Sequence, residues 1–358
     1  MTAPLQRVLV CPPANAGWND PEKSAAWRDL GFHHPPDFAA AQSAHDTLCH
    51  HLTNAGAEVL TLPSAPHLTL DAVYTHDASL PTNHGLILMR PGKTTRIPEA
   101  QAQAAYCARQ PLQRLSRRDG AYPVSVGAQD EASLAAKSYT KATAQVTSVL
   151  AEITAPATSE AGDIVWLDDH ILLVCQGYRT NRAGIDQLRS FLAPHQIEVL
   201  SAPLPYGPGP SACLHLMSLM SMLDEATILV DLPWLSVETV ELLQAHNFRF
   251  IEIDYSERDT LACNVLALGK KRLIALQENV KTNQRLRQAG FEVHPFPGSE
   301  LCINGAGGPT CLTRPLQRGW ADRAGTPRPA FGSRFSAFRC FRSESREPKA
   351  KNRAPHLP

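Results

Sequence analysis

The feature that most constrains the fold of this chain is a unit of secondary structure that recurs along it. A strand or a β-hairpin is followed by a helix and then by a further strand, at intervals of about 45 to 60 residues. Strands that alternate with helices are typical of α/β proteins, and a repeat of this length indicates separate modules. We therefore predict an α/β protein built from repeated modules rather than from one doubly wound sheet.

The predicted elements follow the periodicity of the apolar residues. Residues 109–145 break the pattern, and we predict an insertion there that forms a surface loop. Residues 211–223 are predicted to begin as a strand. The other predicted elements are strands at 7–13, 58–63, 84–90, 197–204, 227–233, 248–254 and 291–297, hairpins at 163–176 and 263–277, and helices at 37–55, 181–193, 237–247 and 280–290.

The charge of the chain is unevenly distributed. Its 34 basic residues balance its 34 acidic ones, but residues 318–358 contain ten Lys and Arg against three Asp and Glu. Residues 317–358 are rich in Pro, Ser and Arg and have no sustained period, so we predict a disordered tail behind a single domain at 1–316. Basic tails of this kind are more often solvated than bound, and we expect neither a nucleic-acid nor a membrane partner.

Several classes of protein are disfavoured by the composition. With 43% hydrophobic residues among 358, the chain can bury a substantial core, but no apolar run is long enough for a membrane span. The nine cysteines are scattered without a CxxC pair, which indicates neither a disulfide framework nor a zinc site. Nucleotide-binding GxGxxG and Walker motifs are absent from the sequence. We expect a cytoplasmic, thiol-reduced protein without a metal or a cofactor.

Four turns or strand ends concentrate the reactive side chains. They contain Asp77 in YTHDAS, Glu160 in SEAGDIVW, His215 in ACLHLMS and Cys311 in GGPTCLT. Taken singly, the two acids are typical of turn or capping carboxylates, the histidine of a core residue and the cysteine of a packed thiol. Each lies in a different repeat unit, however, and repeats around an axis bring equivalent positions together at one end. The set therefore predicts a site.

The same segments resemble a known family. The stretch EAGDIVWLDDHILLVCQGYRTNRAG resembles the dimethylarginine dimethylaminohydrolases of the pentein superfamily, which also contains the arginine deiminases and the amidinotransferases. CLHLMS and GGPTCLT resemble that superfamily's histidine and cysteine motifs, in the right order. The resemblance covers about residues 7 to 316 apart from the insertion. It implies five ββαβ modules around a pseudo-fivefold axis, with the active site in the central channel.

The resemblance also implies a role for each matched residue. Cys311 would be the nucleophile and His215 the acid and base. Glu160 would lie beside His215 and contact the substrate, and Asp77 would hold its guanidinium group. Two arginines, Arg179 in YRTN and Arg96 in RPGKTTR, match family residues that bind the carboxylate of the substrate's amino-acid moiety.

Guanidinium chemistry requires these residue types independently of the family. A guanidinium group is protonated at neutral pH, so a site that attacks its carbon must neutralise it with carboxylates. A thiolate is a strong enough nucleophile once a nearby cation stabilises it. A histidine can protonate the departing amine and then activate water. The expected product is a urea, such as citrulline, and the expected partner is a small guanidino substrate.

Two departures from the family patterns bear on the substrate. His76 stands where the dimethylarginine enzymes generally carry an acid, and Met217 stands where arginine deiminases carry an aspartate. An apolar residue at 217 favours an N-substituted guanidine over free arginine. Three alternative functions remain: arginine deiminase activity, transfer of the amidino group to an amine, and a non-catalytic binding role. The chain could also form a homodimer.

Overall fold

Apolar strands of this chain assemble into five separate sheets of three strands each. The structure is a computed structural model, and it describes residues 2–109, 148–210, 212 and 214–319. Within these residues the strands are β1 (Leu5–Val10), β2 (Glu58–Thr61), β3 (Ser79–Thr82), β4 (Gly85–Leu88), β5 (Val149–Glu152), β6 (Ile164–Trp166), β7 (Ile171–Gln176), β8 (Glu198–Pro203), β9 (Met220–Met222), β10 (Thr227–Val230), β11 (Arg249–Glu252), β12 (Leu266–Gly269), β13 (Arg272–Leu276), β14 (Glu292–Phe296) and β15 (Arg314–Arg318).

Every sheet has the same order of pairing. A central strand pairs antiparallel with one neighbour and parallel with the other, as β7 does with β6 and β8. A parallel pair needs a crossover, and a helix provides it in the described parts of the modules. The α-helices of the described residues are α1 (Pro21–Ser24), α2 (Phe38–Asn54), α3 (Ile97–Cys107), α4 (Arg182–Leu192), α5 (Val237–Ala245) and α6 (Val280–Gln288).

The two ends of the described chain share the first module. Strand β15 pairs antiparallel with β1, and β1 pairs parallel with β2. The other modules are contiguous in sequence and contain β3–β5, β6–β8, β9–β11 and β12–β14. The predicted pentein propeller of five ββαβ modules is therefore confirmed.

Local sequence explains where the longer helices begin and which face they bury. Asp37 caps α2 by accepting a hydrogen bond from the backbone N–H of Ala40 at 3.0 Å. Asn181 caps α4 in the same way through Gly184 N, at 2.9 Å. Each helix then buries residues spaced three or four apart, namely Ala41, Ala44, Leu48 and Leu52 in α2 and Ile185, Leu188 and Leu192 in α4.

Most of the predicted elements are confirmed, and the differences have physical reasons. Helices α1 and α3 and the strands β3, β5 and β15 were not predicted from the sequence. These strands are short, and the sequence of β15, RPLQR, is too polar to be recognised as a buried strand. Its two arginines can lie in the interior because they donate to backbone carbonyl groups. The prediction that 211–223 begins as a strand is wrong in the described part, where a 3₁₀ helix, Leu216–Ser218, precedes the short β9.

Two predicted segments fall largely outside the described residues. These are the insertion at 109–145, of which only Arg109 is described, and the tail at 317–358, of which residues 317–319 are described. In the described part of the chain, no helix has both the length and the apolar character needed to cross a membrane.

Candidate active site

The candidate site lies where the chain enters the first strand of each module. Asp77 precedes β3, Glu160 precedes β6 and His215 precedes β9, each on a turn only a few residues before its strand. Cys311 precedes β15 in the same way. The predicted residues therefore occupy equivalent places in four modules, as the argument from the repeats requires.

Glu160 and His215 form a buried pair. Nε2 of His215 lies 2.6 Å from Oε2 of Glu160, whose side chain is 0% exposed. The other carboxylate oxygen accepts the backbone N–H of Gly92 at 2.9 Å. Burial opposes ionisation of Glu160, but the hydrogen bond and the charge of His215 lower its pKa below the ordinary value. The carboxylate of Glu160 is therefore ionised, so Nε2 of His215 carries the hydrogen atom and donates this hydrogen bond.

Asp77 is held by a backbone amide and an arginine. Oδ1 accepts the N–H of Gly162 at 3.0 Å, and Oδ2 accepts from Arg96 at 2.7 Å. Burial would raise the pKa of Asp77, but the charges of His215 and Arg96 outweigh it and hold this pKa below the ordinary value. Asp77 thus presents a second ionised carboxylate beside Glu160.

Arg96 does not occupy the position predicted for it. Its guanidinium group is buried and donates to both carboxylate oxygens of Glu99, at 3.0 and 2.8 Å, and to the carbonyl of Tyr74, at 2.7 Å, in addition to Asp77. These four hydrogen bonds direct it into the protein. Arg96 is therefore placed to orient Asp77, and the structure gives no support to a contact with the substrate's carboxylate.

Arg179 lies at the edge of the site. Its NH1 atom is 3.4 Å from Oε1 of Glu160, and 16% of its side chain is exposed. The preceding residue, Tyr178, is half exposed. Arg179 therefore connects the buried Glu160 with the surface, which is compatible with the predicted role of a ligand for the substrate's carboxylate.

Cys311 differs from most other described thiols by being only partly buried. Its sulfur accepts a hydrogen bond from Nδ2 of Asn264 at 3.2 Å. Its carbonyl accepts the N–H of His76 at 3.1 Å, so the backbone of the cysteine is bonded to the residue that precedes Asp77. In contrast, Cys302 is fully buried, and burial raises the pKa of its thiol.

Asn264 is a residue of the site that the sequence analysis missed. It is buried and lies just before β12, so the fifth module also contributes a polar side chain at the entry to its first strand. Its Oδ1 accepts the N–H of Thr310 at 2.9 Å, which orients the NH₂ group toward the sulfur. The repeat itself was the available signal, because the other four modules carry their reactive residue at this place.

Asp163 ties the turn of Glu160 to the turn of His215. It is fully buried, and its Oδ1 accepts the N–H of Leu216 at 3.2 Å. Burial raises the pKa of Asp163 to about 7, although the neighbouring His215 opposes the shift. This hydrogen bond links the turn that carries Glu160 to the turn that carries His215.

The arrangement is suited to binding a cation. One ligand atom each of Asp77, Glu160 and His215 lies within 4.8 Å of the others. Such a set could hold a metal ion or the planar cation of a guanidine. Each carboxylate is also held in place by a charged or imidazole donor, Asp77 by Arg96 and Glu160 by His215.

Part of the sequence is similar to known proteins. Residues 234–318 match the family model described as arginine deiminase. Protein YkgA of Bacillus subtilis is 31% identical over 160 residues, which cover 45% of this chain and 52% of that protein. N(G),N(G)-dimethylarginine dimethylaminohydrolase of Streptomyces coelicolor is 28% identical over 163 residues, covering 44% and 54%. The chain thus spans about half the length of the relatives that it matches.

Among solved structures, the likeness extends over most of the chain. The dimethylarginine dimethylaminohydrolase of Pseudomonas aeruginosa, solved in complex with citrulline, superposes with a TM-score of 0.63 at 21% identity. The superposition covers 87% of this chain and 98% of that one. At this identity the likeness concerns the fold. The resemblance to the pentein superfamily that the sequence indicated is confirmed.

Proposed function

We propose that this chain, a member of the pentein superfamily, is a hydrolase that cleaves a carbon–nitrogen bond of a guanidino substrate through a covalent adduct on Cys311. The observation that carries the proposal is the position of the polar residues. Each of the five modules contributes one such side chain at the entry to its first strand, and those of Asp77, Glu160 and His215 lie within 4.8 Å of one another.

Substrate binding would depend on the two carboxylates. Asp77 and Glu160 both have lowered pKa values, so both are ionised at neutral pH. Together they offset the charge of a bound guanidinium group and hold it flat against them. Arg179, at the edge of the site, would bind the carboxylate of the substrate's amino-acid moiety, while Arg96 keeps Asp77 in place.

The first half of the reaction would form a carbon–sulfur bond. The sulfur of Cys311 attacks the central guanidinium carbon, and the N–H donor of Asn264 and the cationic substrate stabilise its negative charge. The carbon–nitrogen bond to the leaving amine then breaks. His215 gives the amine its proton, and the amidino group stays on the sulfur.

In the second half, water would replace sulfur on the carbon. The imidazole of His215, oriented by Glu160, takes a proton from a water molecule that attacks the adduct. The carbon–sulfur bond breaks, the thiolate is restored and a urea product leaves. The net reaction consumes one water molecule and releases one amine, and it requires no oxidant or reductant.

The proposed substrate is an arginine with a substituted guanidine, such as dimethylarginine. Met217 supplies no carboxylate next to His215 and contributes to an apolar cluster. Turnover of dimethylarginine and of arginine by the purified protein should show a preference for the substituted compound, with citrulline as product. A clear preference for arginine would instead favour arginine deiminase activity, which the match of residues 234–318 makes the second candidate.

Capture of the adduct by an amine is a further alternative. Addition of glycine would then yield a new guanidino compound in place of the urea. If the chain is a hydrolase, citrulline should form at the same rate with and without glycine.

A pair of cysteine variants separates catalysis from binding. Cys311→Ser should lose turnover by at least about a thousandfold, whereas Cys302→Ser, which alters a buried thiol of the same region, should retain it. Loss of turnover in Cys311→Ser with unchanged thermal stability supports the nucleophile. Equal turnover by the two variants would refute the role of Cys311 as the nucleophile.

A further inference from the structure

A cavity of about 60 Å³ lies among the first strands of four modules. None of Asp77, Glu160, His215 and Cys311 lines it, so it is separate from the candidate active site. Its walls come from β6, β9, β12 and β15 and from nearby turns, and they include Trp166, Met220, Ala267, Arg314 and Arg318.

Two arginines of β15 bring positive charge to this cavity. NH1 of Arg314 donates to the carbonyl groups of His76 and Ser79, both at 2.8 Å. NH1 of Arg318 donates to the carbonyls of Ala3 and Ala267, at 2.8 and 2.9 Å. The Nε atom of each arginine is buried and has no hydrogen-bond partner within the described residues. Each guanidinium group thus has donors to spare.

No described acidic residue lines the cavity to balance these charges. The charge of Asp77 interacts favourably with that of Arg314, but Asp77 already forms an ion pair with Arg96. Burial lowers the pKa of Arg314 to about 9 and that of Arg318 to about 10, so both stay charged at neutral pH. His76 adds no charge, because burial lowers its pKa to about 3.

The remaining polar groups of the wall cannot neutralise the arginines. The hydroxyl of Thr310 donates to the carbonyl of Val265 at 3.0 Å, and that of Ser221 to the carbonyl of Cys263 at 2.7 Å. Most of the other wall residues are apolar. Burying the charge of Arg314 without a counterion, next to the partly buried Arg318, costs several kcal/mol, so an anion held by the two arginines would relieve a substantial penalty.

We propose that this cavity binds a small monovalent anion, of the size of chloride, through the guanidinium groups of Arg314 and Arg318. One water molecule needs about 10 to 15 Å³ of such space, so the cavity has room for a halide with a little water, but not for a sugar acid or a nucleotide. The bound anion would also stabilise the segment that carries Asp77, because Arg314 binds the carbonyl groups of His76 and Ser79 on either side of it.

Thermal unfolding of the full chain at constant ionic strength tests this proposal. Sodium chloride or bromide should raise the Tm in a saturable way compared with sodium gluconate, whose anion is too large for the cavity. Arg314→Met should lose this dependence. Arg285→Met, which removes an arginine paired with Asp254 at the surface, should keep it. Equal Tm values in chloride and gluconate, or the same chloride dependence in Arg314→Met, would overturn the proposal.

A second measurement decides the matter if Arg314→Met fails to fold. Crystals of the unaltered protein soaked in bromide should show an anomalous peak within hydrogen-bond distance of both guanidinium groups. Density for water alone in this cavity, with no bromide signal, would refute the site. Neither experiment uses enzymatic activity as its readout, so failure of the proposed function would not affect the result.

Discussion

At the scale of single residues, the surroundings of Cys311 distinguish it from the other thiols. It is only partly buried, and Asn264 directs an N–H group at its sulfur. Such a donor stabilises negative charge, and hydrogen bonds to charged groups are worth about 1.5 to 3 kcal/mol. The reactivity of this thiol should therefore depend on an asparagine some forty-seven residues away in the chain.

Replacement of Asn264 tests this dependence. Asn264→Leu should slow alkylation of Cys311 by iodoacetamide by about tenfold or more, because the sulfur loses its donor. Asn264→Asp should slow it further, since it places a carboxylate there. Asn283→Leu removes a buried amide that donates to the carbonyl of Leu276 instead, and it should leave the alkylation rate unchanged. If both Asn264 variants are alkylated at the rate of the unaltered protein, Asn264 does not contribute to the reactivity of Cys311.

Gly162 is the second residue on which the geometry depends. A Cβ atom at this position would lie 2.6 Å from Nδ1 of His215 and 2.8 Å from Oδ1 of Asp77, closer than atoms can approach. Gly162→Ala should therefore displace one of them and lower kcat/KM by about a hundredfold, as expected for a misplacement of about 1 Å.

A second glycine of the same module provides the control. At Gly177 the added atom would meet only the flexible side chain of Leu204, at 2.8 Å. Gly177→Ala should retain most of the activity. If the two alanine variants have the same kcat/KM for the guanidino substrate, the close packing of His215 and Asp77 around Gly162 is not required.

At the scale of elements, the turns that enter the strands form the site, and Asp163 connects two of them. Burial raises the pKa of Asp163 to about 7 from its ordinary 3.8. The native carboxyl group therefore keeps its proton at pH values where the unfolded chain has lost it. Its contribution to the free energy of unfolding must fall as the pH rises from about 4 to about 7 and stay constant above that.

Urea unfolding of Asp163→Asn between pH 4 and pH 8 tests the sign of this effect. Relative to the unaltered protein, the variant should gain about 1.4 kcal/mol of unfolding free energy per pH unit within the window. Asp168→Asn, in the exposed turn of the same module, controls for the loss of one negative charge. A difference between Asp163→Asn and the unaltered protein that does not change with pH would contradict the buried, protonated carboxyl group.

The sequence predicted these elements unevenly, for physical reasons. The hairpin at 163–176 and the helices at 37–55 and 181–193 have strong periodicity and side-chain caps, and the structure has them within one or two residues. His215 was expected in an apolar strand, but it lies before a 3₁₀ turn, because apolar periodicity does not distinguish a short buried turn from a strand. Asn264 was missed since a lone asparagine in an apolar segment carries no motif.

The arginines show a further limit of sequence reasoning. Motif alignment could place Arg96 and Arg179 near the site, but not decide which of them faces inward. That depends on Glu99, which takes two hydrogen bonds from Arg96, and on the carbonyl of Tyr74. Such contacts follow from the fold rather than from the order of the residues.

At the scale of the whole molecule, the ring of modules is closed by the pairing of β15 with β1. Without β15, the central strand of the first sheet would have an open edge, and buried Leu316 and Arg314 would be lost from the interior. The strand that follows Cys311 therefore holds both the ring and the nucleophile in place.

Two truncations test this closure. A chain that ends after Thr313 should fail to give a cooperative thermal transition, because β15 is absent. A chain that ends after Gly319 retains β15 and should unfold with a Tm within about 5 °C of the full chain. Cooperative unfolding of the shorter form at an unchanged Tm would show that ring closure by β15 is dispensable.

The central claim is that the guanidinium carbon of the substrate becomes bonded to the sulfur of Cys311. Mass spectrometry of the protein, quenched with acid during turnover of dimethylarginine and then digested, measures this directly. We predict that the peptide containing Cys311 gains the mass of the amidino-bearing part of the substrate after loss of its amine, and that Cys311→Ser shows no such gain. Citrulline formation by the Cys311→Ser variant at the rate of the unaltered protein, with no adduct on either, would contradict the account.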